Sequence, residues 1–280
     1  MNRAVTKPVR VLRMIARLNV GGPAIQAISL TSELVSKGYQ TMLICGAVGS
    51  NEGDMTYLAG DRNVRPIVIP ELGREISIVD DLKAFLSLRR IIKRFKPHII
   101  HTHTAKAGTL GRLAAISVNI LSRSGKRIRI VHTFHGHVFH SYFNAVKSFF
   151  FILIERLLAR FTDRIVAISA LQRDDICLGF RITKPEKVSV IPLGFDLSGF
   201  RHCDTFREIA REEYMSGEFA EGFLVGIIGR LTAVKNHSLL LRAMGCLKNR
   251  GQLGPFKFLI VGDGELKAKL EKEAIELGGR

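Results

Sequence analysis

Arg230 and Lys235 follow a short apolar run that breaks at Gly229, in the stretch Val225-Gly-Ile-Ile-Gly-Arg-Leu-Thr-Ala-Val-Lys-Asn236. A guanidinium offers a two-pronged fork and an ammonium a mobile point charge, a combination that suits a diphosphate. If the run is a strand, both cations lie at its carboxyl end, where open α/β sheets bind their ligands. The plain alternative is a surface loop with ordinary basic residues. A second turn argues against it. Phe258-Leu-Ile-Val-Gly-Asp-Gly-Glu-Leu266 runs from another apolar stretch through Gly262, Asp263 and Gly264 into a helix-like segment, and the free amides that open a helix favour anions. Asp263-Gly264 alone is ordinary turn chemistry. On adjacent strands, the two turns predict one nucleotide-diphosphate site.

Two further groups of residues could act on a sugar or a phosphate. Leu18-Asn-Val-Gly-Gly-Pro23 ends the first apolar run. Gly21 and Gly22 let a ligand approach the main chain, and Pro23 suits a first helical position. The spacing is not GxGxxG, and Cys45 and Gly46 stand where a ribose-reading carboxylate would close the next strand, which disfavours a nicotinamide cofactor. Histidines cluster at two places: His98, His101 and His103 about one strand, and His132, His135, His137 and His140 at the end of another. Alternation puts His101/His103 and His135/His137 on shared faces. They read as core or loop histidines, as metal ligands, or as hydrogen-bonding groups at a sugar–phosphate substrate. No cysteine or carboxylate is interleaved, which disfavours a metal.

These groups need elements to position them. Apolar β-branched runs over 9–16, 41–45, 67–69, 99–102, 128–134, 165–168 and 188–191 alternate with helix-like segments over 24–37, 80–95, 106–121, 143–161 and 170–177. Such alternation predicts a parallel sheet covered on both faces. Ser169 and Gln172 form a capping box. Past Ile191 a turn and a polar linker carry one helix near 206–214. Strand and helix signals then resume over 223–228, 238–249, 257–261 and 266–277. The reading is an α/β protein with a first domain over 1–197 and a linker plus second α/β domain over 198–280. Eighty-three residues are few for a domain of about 100–150, so the second is expected to be incomplete.

Charge separates the two parts. The chain carries a formal +17, and residues 1–197 hold 29 Lys+Arg against 14 Asp+Glu while residues 198–280 hold 13 against 11. An anionic partner is implied: nucleic acid, a phosphorylated substrate or an anionic membrane. No aromatic-basic recognition motif supports nucleic acid. Two basic amphipathic segments, 83–96 and 141–164, read as sheet-covering helices or as membrane-docking ones. Arg10, Arg13 and Arg17 interrupt the amino-terminal segment too often for a signal peptide. Four scattered cysteines give no disulfide or zinc pattern. A cytoplasmic protein, peripheral at the inner face of the plasma membrane, is expected.

Taken together these motifs resemble glycosyltransferase family 4, retaining enzymes of the GT-B fold, in family order over nearly the whole chain. They are Gly21-Gly22, His101-Thr-His-Thr-Ala-Lys-Ala-Gly108, Thr133-Phe-His-Gly136, Ile168-Ser169, Ile191-Pro-Leu-Gly-Phe-Asp196, Gly229-Arg230 with Lys235, and Val261-Gly-Asp-Gly-Glu265. The resemblance implies two Rossmann-like domains and sugar transfer from a UDP- or GDP-linked donor to a lipid-linked or glycan acceptor, with retention and without a cofactor or metal. It implies His135, Arg230 and Lys235 as catalytic groups. Donor contacts are Gly21, Gly22, Gly229, Arg230, Lys235, Gly264, Glu265 and Leu266, with His103, Lys106 and His137 toward the acceptor. The family's Glu-x7-Glu element lies further along than Arg280, so this stretch is expected to lack part of the donor site, which puts its activity alone in question. A related sugar-nucleotide epimerase and an inactive binding remnant are the alternatives.

Overall fold

The computed structural model describes residues 7–49, 52–73, 77–122, 125–136, 145–201, 203–215, 222–252, 254 and 256–278. The chain divides into two compact units, Met1–Phe195 and Asp196–Arg280.

The first unit runs β1 (Arg10–Arg17), α1 (Gly22–Ser36), β2 (Gln40–Gly46), α2 (Thr56–Asp61), β3 (Ile67–Val68), α3 (Ile78–Phe95), β4 (Ile99–His103), α4 (Ala105–Leu121), β5 (Arg129–Thr133), α5 (Ala145–Phe161), β6 (Arg164–Ala167), α6 (Ala170–Asp174) and β7 (Val188–Val190). All seven strands pair in parallel in the order β3-β2-β1-β4-β5-β6-β7. Successive strands step outward from β1 one way to β3, and then from β4 the other way to β7. The reversal between β1 and β4 opens a crevice at their carboxyl ends.

Alternation along the strands decides which helix each face meets. Leu12, Met14, Ile100 and Ile130 pack with Ala84, Leu88 and Ile92 of α3 and Ala107, Ala114 and Ala115 of α4. Ile15, Leu43 and Cys45 face the other way, onto Ala24, Ala27 and Ile28 of α1. Ser77 caps α3 by accepting from the Asp80 N–H at 3.3 Å. At α6 the box is reciprocal: Ser169 Oγ accepts from the Gln172 N–H at 3.1 Å, and Gln172 Oε1 accepts from the Ile168 N–H at 2.8 Å.

Two details differ from the pattern in the sequence. The short α2 carries no strong period and is absent from that reading. The segment expected to be helical to Cys177 leaves α-geometry at Asp174 and continues as a wider π-turn over Asp175–Gly179, which buries both Ile176 and Cys177. The basic segment 83–96 proves to be a covering helix, its Leu88 and Ile92 buried in the core and Phe85 and Phe95 packed against it.

The second unit contains α7 (Asp204–Tyr214), β8 (Phe223–Ile228), α8 (His237–Asn249), β9 (Phe256–Val261) and α9 (Lys267–Glu276). β8 and β9 pair in parallel from Phe223↔Phe256 to Ile228↔Val261. Leu231, Leu241 and Leu270 form its buried core.

α4 lies unusually close to the sheet. A Cβ on Gly108 would stand 2.5 Å from His132 Cε1, and one on Gly111 would stand 2.7 Å from Met14 Sδ. Gly108→Ala should therefore cost about 1–3 kcal/mol, because the buried His132 ring has no slack. Gly60→Ala in α2, where a Cβ meets nothing within 4 Å, should instead be neutral or stabilising by up to about 1 kcal/mol. Urea unfolding of the two variants checks the contrast.

Candidate functional site

The carboxyl ends of β1, β4 and β5 gather the polar residues of the first unit. β1 hands over to α1 through Gly21 and Gly22. Gly22 and Pro23 open the helix, its first turn holds no acidic residue, and no side chain caps it. That leaves main-chain donors without a competing carboxylate, the arrangement an anion favours. Gly22 faces Leu193 and Phe195 at ordinary contact distance. The turn after β4 is strained: Thr104 has φ 64°, which is costly for a β-branched residue. Its hydroxyl is engaged on both sides, accepting from the Ala16 N–H at 3.2 Å and donating to the His103 carbonyl at 2.5 Å. Strain of this kind persists only where surrounding contacts over-determine it, and it concentrates at functional sites.

Beside that turn the histidines form one connected row. β1, β4 and β5 align Arg13 with His101 and His101 with Val131, and His103 with Thr133. The His101 and His103 rings lie 4.3 Å apart between centroids. His101 Nε2 is 2.7 Å from Thr133 Oγ1, and His103 Nδ1 is 2.8 Å from His135 Nε2. On the opposite face His132 Nδ1 is 2.8 Å from Thr102 Oγ1. His103 has no exposed surface. Its Nδ1 meets the His135 ring rather than solvent, although the resemblance implies an acceptor-side role for it. Lys106 is paired with Asp81 of α3 at 2.7 Å, and His137 and His140 lie outside the described residues.

Burial keeps this row neutral. It pushes His101, His103 and His132 well below the ordinary histidine range, and nearby positive groups push further: Arg13 and His135 on His101, the other histidines and Arg13 on His103, Arg112 chiefly on His132. Burial lowers His135 to about 4. Arg13 is itself buried, donates to Thr31 Oγ1 at 2.9 Å, and is lowered to about 10. Sequence reasoning missed Arg13 and Thr104. An arginine inside an apolar strand was the available signal for the first; nothing local marks a positive φ at a threonine.

In the second unit the two turns interlock. Gly229 N–H donates to the Val261 carbonyl at 3.0 Å, Leu231 N–H to Asp263 at 2.9 Å, and Leu266 N–H back to Leu231 at 3.0 Å. Glycine is required at two places by close approach. A Cβ on Gly262 would stand 1.9 Å from the Gly229 carbonyl oxygen, and one on Gly264 would stand 2.6 Å from the Leu231 carbonyl oxygen. A Cβ on Gly229 would meet nothing within 4 Å, so that position opens to space. Arg230, Lys235 and Glu265 are exposed. Neither Arg230 nor Lys235 has a side-chain hydrogen bond or ion pair among the described residues. The Leu266 amide is taken, and the Gly264 amide is held by Asp263 Oδ1 at 2.9 Å.

A seven-stranded parallel sheet followed by a second strand–helix unit, with glycine-containing turns at the strand ends, is the architecture of the GT-B class of α/β proteins. The chain belongs to Glycosyltransferase Family 4, whose model matches residues 20–198, and residues 211–280 match Glycosyl transferases group 1. It is 31% identical over 250 residues to UDP-Gal:alpha-D-GlcNAc-diphosphoundecaprenol alpha-1,3-galactosyltransferase of Escherichia coli, covering 88% of this chain and 60% of that one. It is 26% identical over 211 residues to the capsular polysaccharide biosynthesis glycosyltransferase CapM of Staphylococcus aureus, covering 73% and 51%. The chain thus spans a little over half the length of these relatives. Among solved structures, a glycosyltransferase from Rickettsia africae superposes with a TM-score of 0.65 at 17% identity, covering 98% of this chain and 66% of that one. UDP-GlcNAc 2-epimerase from Neisseria meningitidis superposes at 0.62 and 14%, covering 96% and 69%; these likenesses concern the fold.

The buried histidines make stability depend on pH with a definite sign. Each has a folded pKa below the unfolded 6.5. Between 6.5 and about 4 the unfolded chain therefore binds more protons, and stability falls as pH falls through that window. The urea midpoint should drop between pH 7.5 and 4.5. His135→Gln removes one titrating group and should make the fall shallower.

Proposed function

We propose that the protein transfers a sugar from a nucleotide-sugar donor to a lipid-linked or glycan acceptor, with retention of anomeric configuration. The observation that carries this reading is the pair of exposed cations Arg230 and Lys235, without a side-chain partner among the described residues, on a glycine-interlocked turn. Family membership supports it, as does the activity named for the galactosyltransferase relative, which makes a UDP-hexose the first donor to test.

The chemistry follows from what the residues offer. When the acceptor oxygen attacks on the face of the leaving diphosphate, no protein nucleophile is needed. The glycosidic C–O bond to the diphosphate breaks, the new C–O bond forms, and the acceptor proton passes to the departing phosphate oxygen. Catalysis is then orientation plus stabilisation of charge growing on the diphosphate. In the second unit Arg230 and Lys235 take that charge; in the first unit, considered by itself, the amides at Gly21 and Gly22 suit an anionic ligand. His135, neutral at working pH, hydrogen-bonds the sugar.

The acceptor side extends the proposal to a membrane. Residues 82–154 contain thirteen Lys and Arg and no carboxylate. α5 turns Phe149, Phe150, Leu153, Ile154, Leu157 and Phe161 to solvent, flanked by exposed Arg156 and Arg160. An apolar stripe beside cations suits an anionic bilayer, and a lipid-linked acceptor would be met at the cytoplasmic face. No helix among the described residues is long and apolar enough to cross a membrane.

Arg230→Ala and Lys235→Ala should each lower kcat by about 100-fold or more while leaving the circular dichroism spectrum unchanged. Turnover at the wild-type rate in either variant would overturn the clamp. Release of free epimerised nucleotide sugar without an acceptor would favour the epimerase reading. Sedimentation with phosphatidylglycerol vesicles at low salt should be strong for the wild type and weak for the doubly substituted Phe150→Asp, Leu157→Asp protein. Equal sedimentation of both would remove α5 as the docking element.

A further inference from the structure

We propose that the cleft at the carboxyl end of α5 binds the phosphate of an anionic phospholipid headgroup, with Arg160, Arg181 and Lys184 as the cations that hold it. The inference rests on the reading that α5 docks on a membrane, and it adds a defined headgroup site at one end of that helix.

The cleft is open, about 610 Å³ in volume, and lies between the last turns of α5 and the segment that leads into β7. Five of its lining residues are cations, Arg156, Arg160, Arg181, Lys184 and Lys187, against the single carboxylate of Glu186. Two of the five build the walls. Arg156 donates twice to the Phe180 carbonyl, from Nε at 3.2 Å and from Nη2 at 2.7 Å. Lys187 reaches back to the last turn of α5 and donates to the Ala159 and Arg160 carbonyls at 2.8 and 3.2 Å. These bonds tie the two sides of the cleft together and engage two of its cations with main-chain oxygens. The other three have no such employment. Arg160, Arg181 and Lys184 are exposed, and their side chains make no hydrogen bond or ion pair among the described residues. Like charges gathered about one concavity raise the local concentration of anions, and two guanidinium forks with one ammonium suit the oxygens of a phosphate.

The neighbouring surface selects a lipid over a free phosphate. On α5, Leu157 and Phe161 stand one turn apart, as do Arg156 and Arg160, so an apolar row runs beside a basic one. Leu157 and Phe161 are 52% and 43% exposed. A phosphate held in the cleft therefore lies next to side chains that suit the acyl boundary, and a phospholipid joins those two environments in one molecule. A free phosphate engages only the first. In a zwitterionic headgroup the choline ammonium offsets the phosphate, so a positive cleft favours a headgroup with net negative charge.

The cleft lies apart from the histidine row. α5 leaves β5 and returns to begin β6, and because the sheet is parallel its last turn comes back to the amino edge, whereas the histidines stand at the carboxyl edge. From Phe149 to Phe161 the exposed stripe spans roughly 18 Å of helix and links the two edges. A headgroup bound at the Phe161 end pins the amino edge to the membrane surface and limits how far the sheet tilts on the stripe.

Vesicle sedimentation and a soluble lipid test the site. The wild type should pellet with phosphatidylglycerol vesicles and not with phosphatidylcholine ones. Arg181→Gln, Lys184→Gln should weaken the phosphatidylglycerol binding by about 30-fold, the effect of two cations at a charged bilayer. The control Lys37→Gln, Arg65→Gln removes the same charge beside β2 and β3, at the other end of the sheet, and should stay within about threefold of the wild type. Equal weakening by both double variants, or by neither, overturns the headgroup site while leaving the apolar stripe as the docking element. A wild type that pellets with neither vesicle overturns the membrane reading and the site together. Below its micelle concentration, dihexanoylphosphatidylglycerol should shift the isotope-labelled methyl signal of Ile182, which lines the cleft, and this shift should be lost in Arg181→Gln, Lys184→Gln. The same shift with inorganic phosphate alone would assign the cleft to a free phosphate and overturn the lipid assignment.

Discussion

The close seating of α4 on β1, β4 and β5 is the constraint on which the first unit depends. Two glycines one turn apart, Gly108 and Gly111, remove the side chains that would hold the helix off. Its backbone then lies against His132 and Met14, and Arg112 is carried into the interior. Arg112 donates to the Gly108 carbonyl at 2.8 Å and meets Glu155 of α5 at 2.6 Å, with neither side chain exposed. Such a pair adds little net stability, since desolvation offsets attraction, but losing one partner costs about 3–5 kcal/mol. Its effect is on orientation. Glu155 must face inward, so the other side of α5 turns its apolar stripe outward.

The same seating separates two kinds of polar chemistry. Under α4, His132 and Thr102 bond to each other and close the core. On the opposite face, Arg13, His101, His103 and His135 form a row of neutral rings beside one desolvated cation. The second unit does the reverse: Arg230 and Lys235 remain exposed and charged, on turns made rigid by main-chain hydrogen bonds. The first unit thus keeps its polar groups buried and paired within the sheet, whereas the second presents its cations to solvent.

Strand–helix alternation made the α/β architecture readable, because parallel strands buried on both faces must be apolar runs and their crossovers must be amphipathic. The turns at Gly229–Lys235 and Gly262–Leu266 were readable for the same reason: a glycine next to a charge at the end of an apolar run marks a strand end. Gly108 was readable as part of a motif, but its purpose was not. Only the distance to His132 shows that it serves packing. The two basic helices looked alike in the sequence, and each buries part of an apolar face, α3 through Leu88 and Ile92 and α5 through Leu158 and Ala159, but α5 leaves six large apolar residues exposed among the described residues against four on α3. A helical period says that a face is apolar; it cannot say which face the sheet will take when both sides qualify.

By itself the sequence determined the strand–helix alternation and the residue types at each strand end, since these follow from local periodicity and turn chemistry. The tertiary structure alone decided that His103 is sealed and meets His135 across 32 positions of chain, and that Thr104 is strained. It also decided that Arg13 is a buried cation with no paired carboxylate among the described residues, and that the Leu266 amide is already taken by the Leu231 carbonyl. Each depends on strand register and on the depth of helix packing. Those are set by contacts between residues far apart in the chain, which no local pattern encodes.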